Sequence, residues 1–353
     1  MKFLINKTDI QKINRLFETK ETNIALAGML QYFFQSSKAV EAIESENIYF
    51  QRMMEECDVD MSLKENREIA ARQIKPFLKR IDEKIIAEDS YHRCLNIPET
   101  KSGEYALKKQ VSKAYRAFSY DEIDVLEDDF SELQKVGYFE KSVQYLTLTH
   151  NHRVWMSITP NEINTHAIPI KNAHGHVVTF GLGMGYFVFN VIQKEEVKSI
   201  TVIENDPQII DFFKQLIMPQ LKEKAKINIV CADAYSYIKE THKFDYAYVD
   251  LWHNPNDGLP FYLAFKKAES NFPNCAFNYW LETSILSLYR RCLLTVAEEQ
   301  LNNVPESSYQ KAKNDMDEVI NEIYFKTKGL VIKSYQQFHD LLLDNSLKSL
   351  IIQ

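Results

Sequence analysis

The sequence predicts an α/β fold: a parallel sheet flanked by helices at residues 171–353, a helical N-terminal domain at 1–120, and a linking segment at 121–170. Two observations predict the sheet. Four short apolar runs recur between residues 176 and 250, and each is followed by a glycine turn or a carboxylate. The third observation predicts the N-terminal helices, because apolar residues recur there at intervals of three and four, as along one helix face.

The N-terminal region is predicted to be helical throughout. Its apolar stripes include Ile10, Ile13 and Leu16, and only Gly28 and Gly103 occur before residue 137. Scarce glycine is typical of long helices joined by few tight turns. We therefore interpret the stripes as the core of a helical bundle.

The segment at 121–170 is predicted to contain a linker and a β-hairpin. Residues 121–129 are strongly acidic, which is typical of a solvated connection or the start of a helix. Residues 143–149 alternate between apolar and polar side chains, and a second apolar run follows at 154–158. A hairpin is therefore expected just before the main sheet.

The most informative motif is an apolar strand at 176–180 that continues into Gly181, Gly183 and Gly185. Glycine has no Cβ, so it reaches positive φ angles and lets the backbone approach a ligand closely. The N–H groups that open the following helix add a weakly positive surface. Three glycines can also form a simple tight turn, so the downstream strands are needed to support a ligand site.

Each of the next three apolar runs ends in a carboxylate. Glu204 closes the second run and lies 19 positions after Gly185, Asp233 followed by Ala234 closes the third, and Asp250 closes the fourth. The carboxyl ends of parallel strands meet at one edge of the sheet, where ligands bind in this class of fold. A carboxylate at position 204 is suitably placed to accept hydrogen bonds from ribose hydroxyls.

These residues resemble the class I S-adenosylmethionine (SAM)-dependent methyltransferases, which have a Rossmann-like sheet, with a secondary likeness to the spermidine synthase branch. The likeness covers about residues 155–280. It implies that SAM is the cofactor and that its methionine part faces Gly181, Gly183 and Gly185. It also implies that Glu204 holds the ribose and that Asp233 and the adjoining Ala234 contact the adenine. The family usually ends its sheet with two antiparallel strands, for which residues 329–332 and 350–352 are the candidates.

Several departures from these patterns decide between activities. The family usually has an acid at the position of Thr179, which weakens the expected contact to the SAM amino group. The spermidine synthase branch has an acid at the position of Met184 and two acids after the fourth strand, of which only Asp250 remains here. Because a polyamine cation needs anionic partners, we interpret the chain as a methyltransferase acting on a small molecule. The alternatives are a spermidine synthase-like aminopropyltransferase and a nonenzymatic SAM-binding module.

Nicotinamide dinucleotide binding is disfavoured by the same turn. Its fingerprint requires G-x-G-x-x-G, and Tyr186 stands where the last glycine would be.

Three residues after the fourth strand are candidates for the reaction centre. Asp250 is predicted to orient or deprotonate the acceptor, and His253 to act as an acid or base near neutral pH. Trp252 is predicted to stack on the substrate. The structural alternatives are that Asp250 caps the next turn, that His253 is merely solvated, and that Trp252 packs beneath the loop.

Composition limits the partners. The chain has 353 residues, 45% hydrophobic and 26% charged, and a formal net charge of −7, which argues against a broad nucleic-acid surface. The five cysteines form no C-x-x-C pair, and no zinc spacing is present, so no metal is predicted. No apolar run approaches the roughly 20 residues that cross a bilayer. We expect a cytoplasmic enzyme with a small-molecule substrate, whose N-terminal domain shapes the acceptor site or a homodimer contact.

Overall fold

The structure is a computed structural model that describes residues 1–37, 43, 45–240 and 243–353. Its strands are β1 Lys2–Phe3, β2 Leu78–Arg80, β3 Thr100–Ser102, β4 Tyr105–Ser112, β5 Phe118–Ser119, β6 Asp124–Val125, β7 Glu132–Leu133, β8 Val136–Tyr138, β9 Val143–His150, β10 Arg153–Ser157, β11 Gly175–Phe180, β12 Val197–Glu204, β13 Ile227–Cys231, β14 Tyr246–Val249, β15 Ala276–Tyr279 and β16 Val331–Ile332.

Its α-helices are α1 Lys7–Ser36, α2 Glu46–Glu56, α3 Lys64–Gln73, α4 Lys84–Ala87, α5 Ser90–Cys94, α6 Pro160–Asn172, α7 Tyr186–Ile192, α8 Pro207–Phe212, α9 Ala234–Ile238, α10 Pro255–Glu269, α11 Glu282–Leu301, α12 Asp315–Thr327, α13 Tyr335–Leu341 and α14 Asp344–Ile352. Short 3-10 turns occur at Lys75–Phe77, Met218–Gln220, Lys224–Lys226 and Glu306–Tyr309, and a π-helical turn at Phe213–Ile217.

The predicted parallel sheet is present. Five strands lie in the order β13-β12-β11-β14-β15, and every neighbouring pair is parallel. Phe180 pairs with both Ile203 and Val249, so the residues that follow β11, β12 and β14 emerge at one edge. The chain order reverses beside β11, and this is where ligands bind in doubly wound folds.

The central strands are apolar because helices cover both faces of the sheet. All four residues of β14 are buried, as are the last four residues of β11. Each square ångström of apolar surface that these strands remove from water stabilises the fold by roughly 25 cal/mol. The buried strands therefore fix the position of the polar residues at the carboxyl edge of the sheet.

The N-terminal region is not purely helical, which corrects that part of the prediction for residues 1–120. An antiparallel sheet with the order β10-β9-β4-β3 includes two strands from residues 100–112, and β2 and β5 also lie before residue 120. The alternation in β4 was missed because its outer half carries exposed charged and polar residues, Lys108 to Gln110. The antiparallel pair β9 and β10 occupies the place of the predicted hairpin. The proposed domain boundaries stay predictions.

The residues that the structure describes form two separate apolar cores, and α1 contributes to both. Ile13, Leu16 and Phe17 from its first half pack into the large core around the parallel sheet. Leu30 and Phe33 from its second half pack into a smaller core built mainly from residues 49–78 and 115–138. The first helix therefore connects the N-terminal region physically to the main sheet.

The acidic segment at 121–129 is not a freely solvated linker. The Glu122 carboxylate accepts a hydrogen bond from the Ser284 backbone N–H at 2.7 Å, at the start of α11. Burial raises the pKa of Glu122 to about 7. The acidic composition of this segment did not predict its contact with α11, because the partner residue is more than 150 positions away in sequence.

The expected antiparallel strands at the C-terminus are absent from the described residues. Val331 and Ile332 form β16, which pairs in parallel with β1, and residues 350–352 belong to the end of α14. Leu350 and Ile351 are buried on a helix face, which a three-residue apolar run could not reveal. Within the part of the chain that the structure describes, no helix has both the length and the apolar character needed to cross a membrane.

Candidate active site

The glycine turn brings the ends of β11 and β14 into direct contact. Gly181, Gly183 and Gly185 have φ angles of +99°, +52° and +72°, a region that residues with a side chain rarely adopt. A Cβ at Gly181 would lie 2.0 Å from the Asp250 carbonyl oxygen. At Gly183 it would meet the end of the Met156 side chain. The turn therefore depends on glycine at each of the three predicted positions.

Glu204 lies at the end of β12, where its carboxylate organises the backbone around the turn. Oε2 accepts the Leu182 N–H at 3.1 Å, and Oε1 accepts the Asp206 N–H at 2.9 Å. Burial raises the pKa of Glu204, partly offset by these N–H donors. The Asn205 N–H also stabilises this carboxylate, and of its roughly four acceptor positions one remains for a ribose hydroxyl.

Replacing Glu204 by Gln is expected to weaken binding of methylthioadenosine about tenfold to hundredfold, because hydrogen bonds to a charged group contribute roughly 1.5–3 kcal/mol. Calorimetry measures the change, and a 2′-deoxy analogue tests its origin. The wild type should bind the analogue less tightly than methylthioadenosine, whereas Glu204→Gln should discriminate little between them. Glu195→Gln, which removes an exposed carboxylate, is the matched control. Equal binding by Glu204→Gln and wild type would remove Glu204 from the ribose site.

Asp233 and Ala234 stand at the end of β13, beside the same edge. Asp233 is the N-cap of α9: its Oδ1 accepts hydrogen bonds from the Ser236 N–H at 2.8 Å and from the Ser236 hydroxyl at 2.9 Å. Its Oδ2 has no hydrogen-bond partner among the described residues and remains able to accept from a ligand amino group. Ala234 begins the helix. Asp233 therefore caps α9, and its contact with adenine stays a prediction.

Asp250 lies above a buried imidazole that the sequence analysis did not identify. Its Oδ2 is 3.4 Å from Nε2 of His166, and Glu162 flanks the other ring nitrogen with Oε1 at 3.7 Å from Nδ1. Both His166 and Glu162 belong to α6. The Asp250 carboxylate is partly exposed, whereas the other two groups are buried beneath it. Asp250 therefore joins the open cavity to an ionisable cluster inside the protein.

The two other predicted residues differ in their exposure. His253 is half exposed and its Nδ1 contacts Asp257 at 3.0 Å. Trp252 is only 5% exposed, and its indole N–H donates to the Trp280 carbonyl at 3.2 Å. Trp252 therefore packs beneath the loop while it still borders the cavity, and its stacking on a substrate stays a prediction. Trp155 of the hairpin is instead 40% exposed, and its ring lies edge-to-face with His253, with centroids 4.3 Å apart.

The run at 254–258 is the beginning of a helix. Asn254 is the N-cap of α10, and its side chain and that of Asp257 form a reciprocal capping box. The helix start explains the abundance of turn-type residues.

A cavity of about 540 Å³ is lined by all the predicted site residues except Gly185. Gly185 instead starts α7 behind the turn, against Phe213. Such a volume suits a small-molecule ligand. Four carboxylates line it, and none of the described lining residues is lysine or arginine: Glu204, Asp206, Asp233 and Asp250 are the acids. The cavity therefore favours cationic ligands.

Several lining residues were missed because they lie far from the glycine motif in sequence. Tyr105 donates its hydroxyl to Asp206 at 2.7 Å, and its ring stacks on His150 at 4.5 Å. Met156 accepts the Met184 N–H through sulfur at 3.1 Å. The alternating pattern of β9 and β10 predicted strands, but no local signal indicated that they cover the cavity.

Met184, which stands where the spermidine synthase branch has an acid, lies outside the cavity. Its side chain is buried in the core and does not line the cavity, and its carbonyl accepts the Tyr91 hydroxyl at 2.6 Å. The absence of an acid at this position therefore does not leave the cavity without negative charge. Asp206 adds a carboxylate that the two motifs did not include.

The sheet order and the glycine turn define a class I methyltransferase-like fold, in which a parallel sheet is flanked by helices. Within it, residues 162–267 match the family described as the spermine/spermidine synthase domain. This segment includes His166, the glycine turn, Glu204, Asp233 and Asp250.

Among known proteins, the polyamine aminopropyltransferase of Sulfurisphaera tokodaii is 32% identical over 79 residues, which are 21% of this chain and 26% of that protein. Two solved spermidine synthase structures are also similar. The one from Thermotoga maritima has 15% identity and a TM-score of 0.31, covering 42% of this chain and 58% of its own. The other, in complex with the transition state analogue AdoDATO, has 16% identity and a TM-score of 0.32, covering 42% and 60%. The aligned part is thus about a quarter of the curated relative and under two thirds of either structure.

The prediction of a methyltransferase with SAM as methyl donor is wrong. The matched domain and the curated relative both belong to the aminopropyl-transferring branch, which was the stated alternative. The prediction counted acids only within two short motifs, whereas the fold collects carboxylates from several strand ends.

Proposed function

We propose that the chain is an aminopropyltransferase that moves the aminopropyl group of decarboxylated SAM to a small amine, such as a polyamine. The observation that carries this proposal is the four-carboxylate cavity, formed largely by the segment that matches the spermine/spermidine synthase domain. Both substrates are cations: the donor has a sulfonium and an ammonium, and the acceptor is an amine protonated near neutral pH. Carboxylates stabilise such charges when water is excluded.

The same cavity disfavours SAM itself. SAM carries an α-carboxylate, which would enter a site with four acids and, among the described lining residues, no lysine or arginine. Taking that carboxylate from water without a cationic partner costs free energy. The decarboxylated donor lacks this group, so its tail fits the charge of the cavity.

Within the proposed reaction, the cavity aligns the acceptor nitrogen with the carbon attached to sulfur. The amine loses a proton, its lone pair forms the new C–N bond, and the C–S electron pair leaves with sulfur as methylthioadenosine. Glu204 and the glycine turn hold the adenosyl part, and Asp250 receives the proton and orients the amine. Positioning supplies much of the acceleration in such a displacement.

Incubation with decarboxylated SAM and 1,4-diaminobutane tests the proposal. We expect release of methylthioadenosine together with an aminopropylated amine, at a rate at least 100-fold above that with SAM. Mass spectrometry detects both products, and a reaction without amine measures background hydrolysis. S-adenosylhomocysteine formed from SAM, or donor binding without any transfer, would contradict the proposal; the second result would favour a nonenzymatic binding module.

The predicted cytoplasmic location, homodimer contact and lack of a nucleic-acid partner stay predictions.

A further inference from the structure

The strongest unassigned feature is the buried cluster beneath Asp250. His166 is 2% exposed, and Glu162 lies one helical turn before it on α6. Burying ionisable groups costs free energy, so a functional role for this pair is worth testing against its geometry.

The hydrogen bond at Nδ1 determines the tautomer of His166. Nδ1 is 2.9 Å from the Glu162 backbone carbonyl oxygen, which can only accept a hydrogen bond. Nδ1 therefore carries a proton. In the neutral ring, Nε2 then has a lone pair, and it faces Oδ2 of Asp250 at 3.4 Å.

This arrangement makes Nε2 a proton acceptor aimed at Asp250. A lone pair facing a carboxylate is unfavourable, and a proton between Nε2 and Oδ2 converts the contact into a charge-assisted hydrogen bond. The proton that leaves an ammonium at the open side of Asp250 therefore has a favourable destination at the buried side.

The groups around His166 reinforce this preference. Burial lowers the pKa of His166, but the Glu162 and Asp250 carboxylates outweigh burial and leave the pKa raised. Burial also raises the pKa of Glu162 to about 7. The rings of Tyr186 and Tyr248 pack edge-to-face on the imidazole at 5.5 Å, and burial keeps both phenols protonated by raising their pKa values.

A metal ion is the competing occupant of this cluster, because one ligand atom from each residue lies within 4.8 Å of the others. The closest carboxylate contacts, however, are to different ring nitrogens. This is the arrangement of an imidazole that bridges two acids, and the backbone carbonyl already occupies Nδ1.

We propose that His166 is a positioning residue through which Asp250 disposes of the acceptor proton. This inference rests on the proposed aminopropyl transfer. The ammonium gives one proton to Asp250, Nε2 of His166 takes it up from Oδ2, and the neutral amine attacks the donor carbon. The product nitrogen keeps its remaining protons as a secondary ammonium. The imidazolium returns its proton to water through Asp250 after the products leave.

The pH dependence of kcat for His166→Gln tests the proposal. In the wild type, the acidic limb should lie above pH 6.5, since the rate requires the neutral imidazole of a group whose pKa is raised. In His166→Gln the limb should move to lower pH than in the wild type, because the imidazole whose pKa is raised is gone, and the plateau should drop about 30-fold to 100-fold. KM and methylthioadenosine affinity should change less than threefold.

His174→Gln is the matched control. His174 also directs Nδ1 to a backbone carbonyl, that of Asn172 at 2.8 Å, but it is exposed and does not line the cavity. It should keep the wild-type profile. An unchanged limb in His166→Gln, whatever its rate, would overturn the proposal, as would turnover lost with EDTA and restored by Zn²⁺.

Nitrogen-15 NMR of the wild-type imidazoles separates this inference from the proposed function. We expect His166 to show the Nδ1–H tautomer at high pH and to titrate at lower pH in Asp250→Asn, where one anion is removed. The Nε2–H tautomer, or an unchanged titration, would overturn the proposal. If the wild type transferred no aminopropyl group, the proposed function would fail, and the relay would fail as a catalytic device even with the expected tautomer.

Discussion

Replacing Asp250 by Asn is expected to lower kcat for aminopropyl transfer by about 10³-fold while leaving methylthioadenosine affinity within threefold of the wild type. Asn has nearly the same shape, but it cannot accept the proton of the acceptor ammonium and has no charge to orient it. Positioned proton transfer typically contributes 10²–10⁴-fold. The adenosyl contacts lie on other strands, so donor binding should remain.

Initial rates of methylthioadenosine release and calorimetry measure the two halves of this prediction. Asp211→Asn, at an exposed position of α8, controls for the loss of one negative charge. The deficit of Asp250→Asn should narrow above pH 9, because an aliphatic amine with a pKa of about 10.4 begins to lose its proton to water. A variant with wild-type kcat at pH 7 would exclude Asp250 from proton transfer.

Replacing Gly181 by Ala is expected to weaken donor binding more than 100-fold and to lower the melting temperature. The new Cβ would lie 2.0 Å from the Asp250 carbonyl oxygen, a backbone atom that can move only if the end of β14 moves. The backbone at Gly181 also has a φ of +99°, which alanine adopts only with strain. Both the turn and Asp250 should therefore be displaced.

Gly329→Ala separates strain from collision. Gly329 has a φ of +86°, yet nothing lies within 4 Å of its Cβ position. This variant should lose only about 1–2 kcal/mol of stability from backbone strain and should bind methylthioadenosine as the wild type does. Calorimetry and thermal melts on both variants check the comparison. Wild-type affinity in a folded Gly181→Ala would show that the close approach of β11 and β14 is not needed for the donor.

Short motifs alone did not predict the charge of the cavity. The identity of Met184 and of the residues after Asp250 argued against an aminopropyl group, because each position was judged by its match to a short pattern. In the structure, Met184 points into the core and Asp206 contributes a carboxylate to the cavity. The charge of a cavity is a sum over residues from many segments, so a local motif cannot measure it.

The parallel sheet, the glycine turn and the shared edge of Glu204, Asp233 and Asp250 could be predicted from the sequence alone. Apolar runs of strand length and the torsional freedom of glycine are local properties, and parallel strands necessarily place their carboxyl ends together. Only the tertiary structure decided the rest. The hairpin over the cavity, the exposed Trp155, the packed Trp252 and the His166 cluster depend on contacts between segments distant in sequence, and their free energies come from packing and desolvation that no single segment contains.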